Sequence, residues 1–260
     1  MNSSTVLEFR NVSLRGRETP RLDNLSLRIE AGELIALLGP SGAGKSSLLA
    51  VANGSLRPDG GQVLWNNTPV HQLKRQQRRT IGTLWQDLRL VEELSVAQNV
   101  NSGALGRRSL GWALANLLWP IERNACLLCL SQAGLPATLL DRPVTSLSGG
   151  QRQRVALARL FRQRPEFVLA DEPLSSLDPA LVHELLNVLL RRDPINDHDV
   201  LPSTTMICLH RPDLIGRFDR VIGLRQGRVA LDASPDSVTA CDLRELYALP
   251  ARTRSDGQHP

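Results

Sequence analysis

The chain has 260 residues, 42% hydrophobic and 22% charged, which is enough apolar content for a sizeable core and excludes a disordered polymer. Its net charge of +5 and pI near 9.5 rest on 29 arginines against two lysines, Lys45 and Lys74, while aromatics at 3% leave few stacking platforms for single-stranded nucleic acid. No stretch reaches the ~18–20 apolar residues of a membrane span, and residues 1–10 lack the apolar core of a signal peptide.

In chain order, residues 6–9 and 25–29 read as short strands separated by a turn region at 16–20. Residues 34–38, all apolar, read as a buried strand, followed by Gly39-Pro40-Ser41-Gly42-Ala43-Gly44-Lys45-Ser46 and a helix opening at Ser47. Residues 60–65 form a further turn and strand, and 81–85 lead to Gln86. From about 94 to 146 the pattern is helical, with a strongly apolar run over 110–119 and an amphipathic one over 121–133; Trp112 and Trp119 read as core residues of this helical part, the alternative being that they face a partner or a membrane surface. Leu147-Ser148-Gly149-Gly150-Gln151 opens a helix to about 164. A buried strand over 167–170 ends in Asp171-Glu172, a helix covers 179–192, and a strand over 204–209 precedes His210.

The octet 39–46 fits the phosphate-loop pattern GxxxxGK[ST] at every fixed position, in the order strand, loop, helix. Glycines let the backbone N–H groups converge on phosphate oxygens, and the helix N-terminus adds its positive dipole end. Lys45 is expected to reach the β- and γ-phosphates, and Ser46 to offer its hydroxyl to Mg²⁺. In a chain that fills nearly every cationic position with arginine, Lys45 is not interchangeable, because a compact ammonium fits a cradle that a planar guanidinium does not. Cys126 and Cys129 have metal-like spacing, but no second pair or histidine cluster completes a zinc site, so they read as small buried residues.

With these elements in place the chain resembles the ATP-binding-cassette ATPases, the motor subunits of ABC transporters, over nearly its whole length. The fold implied is α/β, a P-loop (RecA-like) core with an antiparallel β subdomain and an inserted α-helical subdomain. A single domain over 1–250 is expected, with the core at about 1–93 and 150–250, the helical subdomain at about 94–149, and a tail at 251–260. The resemblance makes Asp171 a ligand of Mg²⁺, Glu172 the catalytic carboxylate that polarises the attacking water, His210 the switch histidine at the γ-phosphate, and Gln86 a nucleotide sensor touching Mg²⁺ and water. The loop 39–46 with Ser47 holds the phosphates of ATP. Ser148, Gly149, Gly150 and Gln151 resemble the signature loop that completes the ATP site of the opposite subunit, and Asp178 lies in the stretch that runs along the dimer interface.

One position departs from the pattern. The aromatic residue that stacks on adenine in the family falls by register near Gly16, leaving the base against Arg15 or Arg17 or unstacked; installing tyrosine at Gly16 is then expected to tighten ATP binding. The segments 99–118 and 218–228 resemble those of phosphonate-importer ATPases. The resemblance therefore implies an importer motor for phosphonates or related phosphorus oxyanions. It pairs with a second copy of itself on transmembrane permease subunits at the cytoplasmic face of the cell membrane, with an external solute-binding protein acting indirectly and no nucleic acid. Residues 87–91 are the expected docking surface. The alternatives are the ATPase of another ABC transporter, such as an amino-acid importer or an exporter, and a non-transport ABC ATPase acting on nucleic acid.

Overall fold

Alternating apolar residues build the first two strands, β1 (Thr5–Leu14) and β2 (Leu22–Glu30). In β2, Leu22, Leu25, Leu27 and Ile29 turn inward while Ser26 and Arg28 face solvent. Both strands run longer than their apolar cores, because Asn11 and Asn24 adopt left-handed conformations where the antiparallel register shifts, so the ladder continues past each bulge. The structure, a computed structural model, describes residues 5–173, 179–190 and 204–248.

The five buried residues of β3 (Leu34–Leu38) lead through the glycine loop into helix α1 (Lys45–Ala52). Strands β4 (Gly60–Trp65) and β5 (Thr68–Pro69) complete an antiparallel sheet in the order β2-β1-β4-β5. A single-turn helix α2 (Arg75–Arg78) precedes β6 (Ile81–Leu84). Helices α3 (Val96–Ser102), α4 (Leu110–Leu118), α5 (Arg123–Gln132) and the long α6 (Gly149–Gln163) follow. The chain then forms β7 (Phe167–Ala170), α7 (Pro179–Leu189), β8 (Thr204–Cys208), β9 (Arg220–Arg225), β10 (Arg228–Ala233) and α8 (Ala240–Tyr247).

The second sheet runs β10-β9-β3-β8-β7-β6, parallel from β9 to β6 with β10 antiparallel at the edge. Because successive side chains of a strand point to opposite faces, β3 feeds two cores. Leu34, Ala36 and Leu38 pack among residues of α6 and α7, whereas Ile35 and Leu37 pack with α1 and the first sheet. The β3–β8–β7 neighbourhood sets the site: the segments leaving these parallel strands emerge at one sheet edge, where a crevice binds ligands in open α/β folds.

Helices α3 and α5 pack on α6. Gly103, just past α3, lies so close to α6 that an added Cβ would come within 2.0 Å of the Arg159 carbonyl oxygen, so only glycine permits the approach. Helix α4 is seated by polar groups. Gln98 Nε2 donates to the carbonyls of Asn116 (2.9 Å) and Leu117 (3.0 Å), and Asn101 Nδ2 donates to Asn116 Oδ1 (3.0 Å). Glu122 accepts from Trp112 Nε1 at 3.0 Å and pairs with Arg108 and Arg162. Trp112 is accordingly half-buried, but Trp119 stands exposed at the end of α4, contrary to its reading as a core residue. Cys126 is buried and donates to the Ala97 carbonyl, and burial pushes its thiol up to about 12, so the pair at 126 and 129 behaves as packing.

Candidate functional site

The loop between β3 and α1 has a shape that only glycine supplies. Gly39, Gly42 and Gly44 have φ of 144°, 79° and 106°. A Cβ would meet the Leu224 carbonyl oxygen at 2.3 Å from Gly39, and the Arg21 carbonyl oxygen at 2.3 Å from Gly44. The loop is thus wedged between β9 and the start of β2, with its backbone turned around the N-terminus of α1. Gly44 caps that helix, and no side chain occupies the cap, which leaves the first N–H groups open to an anion.

Lys45 is 5% exposed, and its Nζ donates to the carbonyls of Gly39 (2.7 Å) and Pro40 (3.2 Å). The ammonium is therefore held inside the loop. Ser46 is exposed and Ser47 half-buried on the first turn of α1, while Ala43 is buried under the loop.

The strand ends next to β3 bring up the acids. Asp171 follows β7, its N–H bonded to the Leu84 carbonyl at 2.8 Å, and its carboxylate is buried. Its Oδ1 has no hydrogen-bond partner among the described residues, an orphaned anionic oxygen that fits a cation or its bound water. Glu172 adopts φ 49°, a left-handed conformation that costs ~1–2 kcal/mol for a residue with a Cβ. There its Oε1 pairs with His210 Nε2, so residues 38 positions apart in sequence meet at one edge of the sheet. Cys208, one strand from β3, was not singled out by sequence. Its thiol is fully buried beside Asp171 and Lys45; burial, reinforced by the Asp171 carboxylate, raises it well above the ordinary range and keeps it a neutral neighbour.

Gln86 is exposed just past β6. The loop beyond it is held in two left-handed residues, Leu88 and Arg89, whose carbonyls both accept from the Arg159 guanidinium at 2.5 Å. The Arg89 guanidinium lies over the Trp85 ring at 3.9 Å. Neither Arg159 nor this clamp has a motif to announce it.

Ser148 is the N-cap of α6. Its Oγ accepts from the Gln151 N–H (3.3 Å) and the Gln151 side chain accepts from the Ser148 N–H (3.1 Å). This reciprocal pair fixes the turn while leaving Ser148 and Gly149 at the surface. Asp178 and its neighbours 174–177 lie outside the described residues.

At the base end, the expectation for Gly16 needs correcting. An added Cβ would lie 2.0 Å from the Thr19 carbonyl oxygen, so the turn has no room for a side chain. Gly16→Tyr is now expected to loosen ATP binding by distorting the β1–β2 connection, and titration with a fluorescent ATP analogue, in which tighter binding contradicts this, checks it. The only tyrosine, Tyr247, lines a cleft of about 670 Å³ with Thr19, Pro20, Pro40 and Ser41, so the fold brings an aromatic ring near the loop from the far end of the chain.

A family model described as ABC transporter matches residues 22–175. The chain belongs to the ABC transporter family. Among ABC relatives, the phosphonates import ATP-binding protein PhnC of Hydrogenovibrio crunogenus is 35% identical over 242 residues, covering 92% of this chain and 87% of that protein. The protein of the same name from Anaeromyxobacter dehalogenans is 41% identical over 228 residues; these are 86% of this chain but only 44% of that protein's length. Among solved structures, a dimeric, post-hydrolysis form of the ATP-binding cassette MJ0796 bound to ADP and Pi superposes with a TM-score of 0.75 at 28% identity, over 88% of this chain and 98% of that one. The ABC chain is an ATPase, and its fold is that of the P-loop cassettes.

Proposed function

We propose that this chain is the ATP-hydrolysing subunit of an importer for phosphonates or related phosphorus oxyanions, paired with a second copy of itself on separate permease subunits. The observation that carries the substrate class is the similarity to phosphonate-import ATP-binding proteins across nearly the full chain. The pairing is supported by the exposed, capped turn at Ser148 and Gly149, which suits contact with a γ-phosphate held by another subunit, and by the dimeric solved relative.

In this reading the loop 39–46 and Ser47 hold the phosphates and Lys45 spans the β- and γ-groups. The buried Asp171 oxygen, Ser46 and Gln86 are the residues that would hold Mg²⁺, which when bound offsets charge developing on the phosphate oxygens. Glu172 accepts the proton of the attacking water as its oxygen bonds to the γ-phosphorus and the bond to ADP breaks, while His210 orients that carboxylate. Asp178 serves the interface between copies. Closure on two ATP molecules and reopening after cleavage drive the permease.

Permease contact is assigned to the loop 87–91 and the cleft of about 760 Å³ beside it, lined by Trp85, Arg89 and Arg159. Among the described residues no helix is long and apolar enough to cross a membrane. In this reading, which follows from similarity to importer ATP-binding proteins, the chain works as a peripheral subunit at the cytoplasmic face, and a solute-binding protein acts on the permease from outside. The test is to isolate the chain from membranes with its permease and measure ATP turnover. Phosphonates are expected to stimulate it; stimulation by amino acids and not by phosphonates moves the chain to another importer class and leaves the ATPase assignment standing.

A further inference from the structure

Helix α4 is built inside out. Its one buried residue is the amide Asn116, gripped by Gln98 and Asn101, while Leu110, Leu114, Leu117, Leu118 and the adjoining Trp119 are 55–75% exposed. The leucines recur at i, i+4, i+7 and i+8, a single stripe turned outward, where a water-facing helix carries charge. The amide lock and the Trp112–Glu122 hydrogen bond fix this orientation, so polar groups hold the apolar face away from the core.

We propose that this face is a membrane-surface contact, resting its leucines and Trp119 at the headgroup–acyl boundary of an anionic bilayer. At nine residues, about 14 Å, the helix is far too short to span and long enough to lie in the interface plane. An indole at the helix end is the side chain that favours this depth. Charge selects lipid over an apolar protein socket. Arg107 and Arg108 immediately precede α4, and Arg79, Arg162 and Arg164 are close enough to act electrostatically on Arg107. Arg162 is buried and shares Glu122 with Arg108, so the positive charge left for phosphate headgroups at the root of the helix is that of the half-buried Arg79 and Arg107 and the exposed Arg164. The inference rests on membership of a membrane-transporter family and not on the phosphonate reading.

The test is flotation of the full chain with vesicles of mixed phosphatidylglycerol and phosphatidylcholine, and with phosphatidylcholine alone. The chain is expected to float with the anionic vesicles and to be released as salt rises. The double variant Leu114→Glu, Leu118→Glu, on a solvent-facing stripe, is expected to lose at least about tenfold in partition while keeping its ATP turnover. Failure of the unaltered chain to float, or equal flotation of the variant, overturns the proposal. So does a variant that floats normally but no longer copurifies with permease subunits, which assigns the face to a protein socket. ATP turnover is read separately, so a defect in the motor is not mistaken for one in the membrane contact.

Discussion

Glu172→Gln is expected to cut steady-state ATP turnover by about 10²–10⁴-fold while leaving ATP affinity intact, and to accumulate a nucleotide-bound dimer. The substitution is nearly isosteric, so the left-handed residue at φ 49° and the hydrogen bond toward His210 both survive, with the amide in place of the carboxylate. What is lost is a base able to take a proton from water. Phosphate contacts made by the loop 39–46 and by Lys45 are untouched, so closure proceeds and reopening does not. Turnover assays and light scattering with and without ATP read the two halves of the expectation. A variant that stays monomeric in ATP contradicts the paired clamp, and one that retains turnover removes Glu172 from the chemistry.

Lys45→Arg is expected to weaken ATP binding by about 100-fold, although it conserves charge and matches the chain's own preference for arginine. The Nζ position is enclosed, within reach of the carbonyls of Gly39 and Pro40, and the glycines at 39 and 44 already abut the Leu224 and Arg21 carbonyls. A loop so confined cannot widen for a planar fork, so the cation swings out and the charge-assisted bonds to phosphate go, worth ~1.5–3 kcal/mol each. Isothermal titration with ATP gives the affinity, and thermal melting without nucleotide separates a lost contact from a damaged fold. Binding within a few-fold of the parent refutes the size argument.

Residues whose role is fixed by backbone geometry were plain in the sequence. Gly39, Gly42, Gly44 and Lys45 stand at set spacings because a phosphate cradle needs those conformations, and the buried strands β3 and β7 announce themselves as uninterrupted apolar runs. What escaped depends on distant residues. The run 110–118 looks like core because periodicity reports that a helix has an apolar stripe, not which way it faces; the direction is set by Gln98 and Asn101, 18 and 15 residues before the Asn116 they hold. By register Gly16 stands for a missing aromatic, whereas the closeness of the Thr19 carbonyl makes it a steric requirement of the turn. Cys208 and Tyr247 reach the site only through strand order and the packing of α8.

The Arg159 clamp turns two loops into one lever. Its guanidinium fastens the segment after Gln86 to α6, and Ser148 sits at the other end of that same helix, eleven residues or about 16 Å away. A helix transmits displacement along its axis with little give, so a push delivered at Leu88 or Arg89 arrives at Ser148 as motion, without an intervening hinge. In the proposed pair, whatever presses on the loop after Gln86 of one chain would therefore reposition the turn offered to its neighbour, linking the two ATP sites through the rigidity of a single helix in each copy.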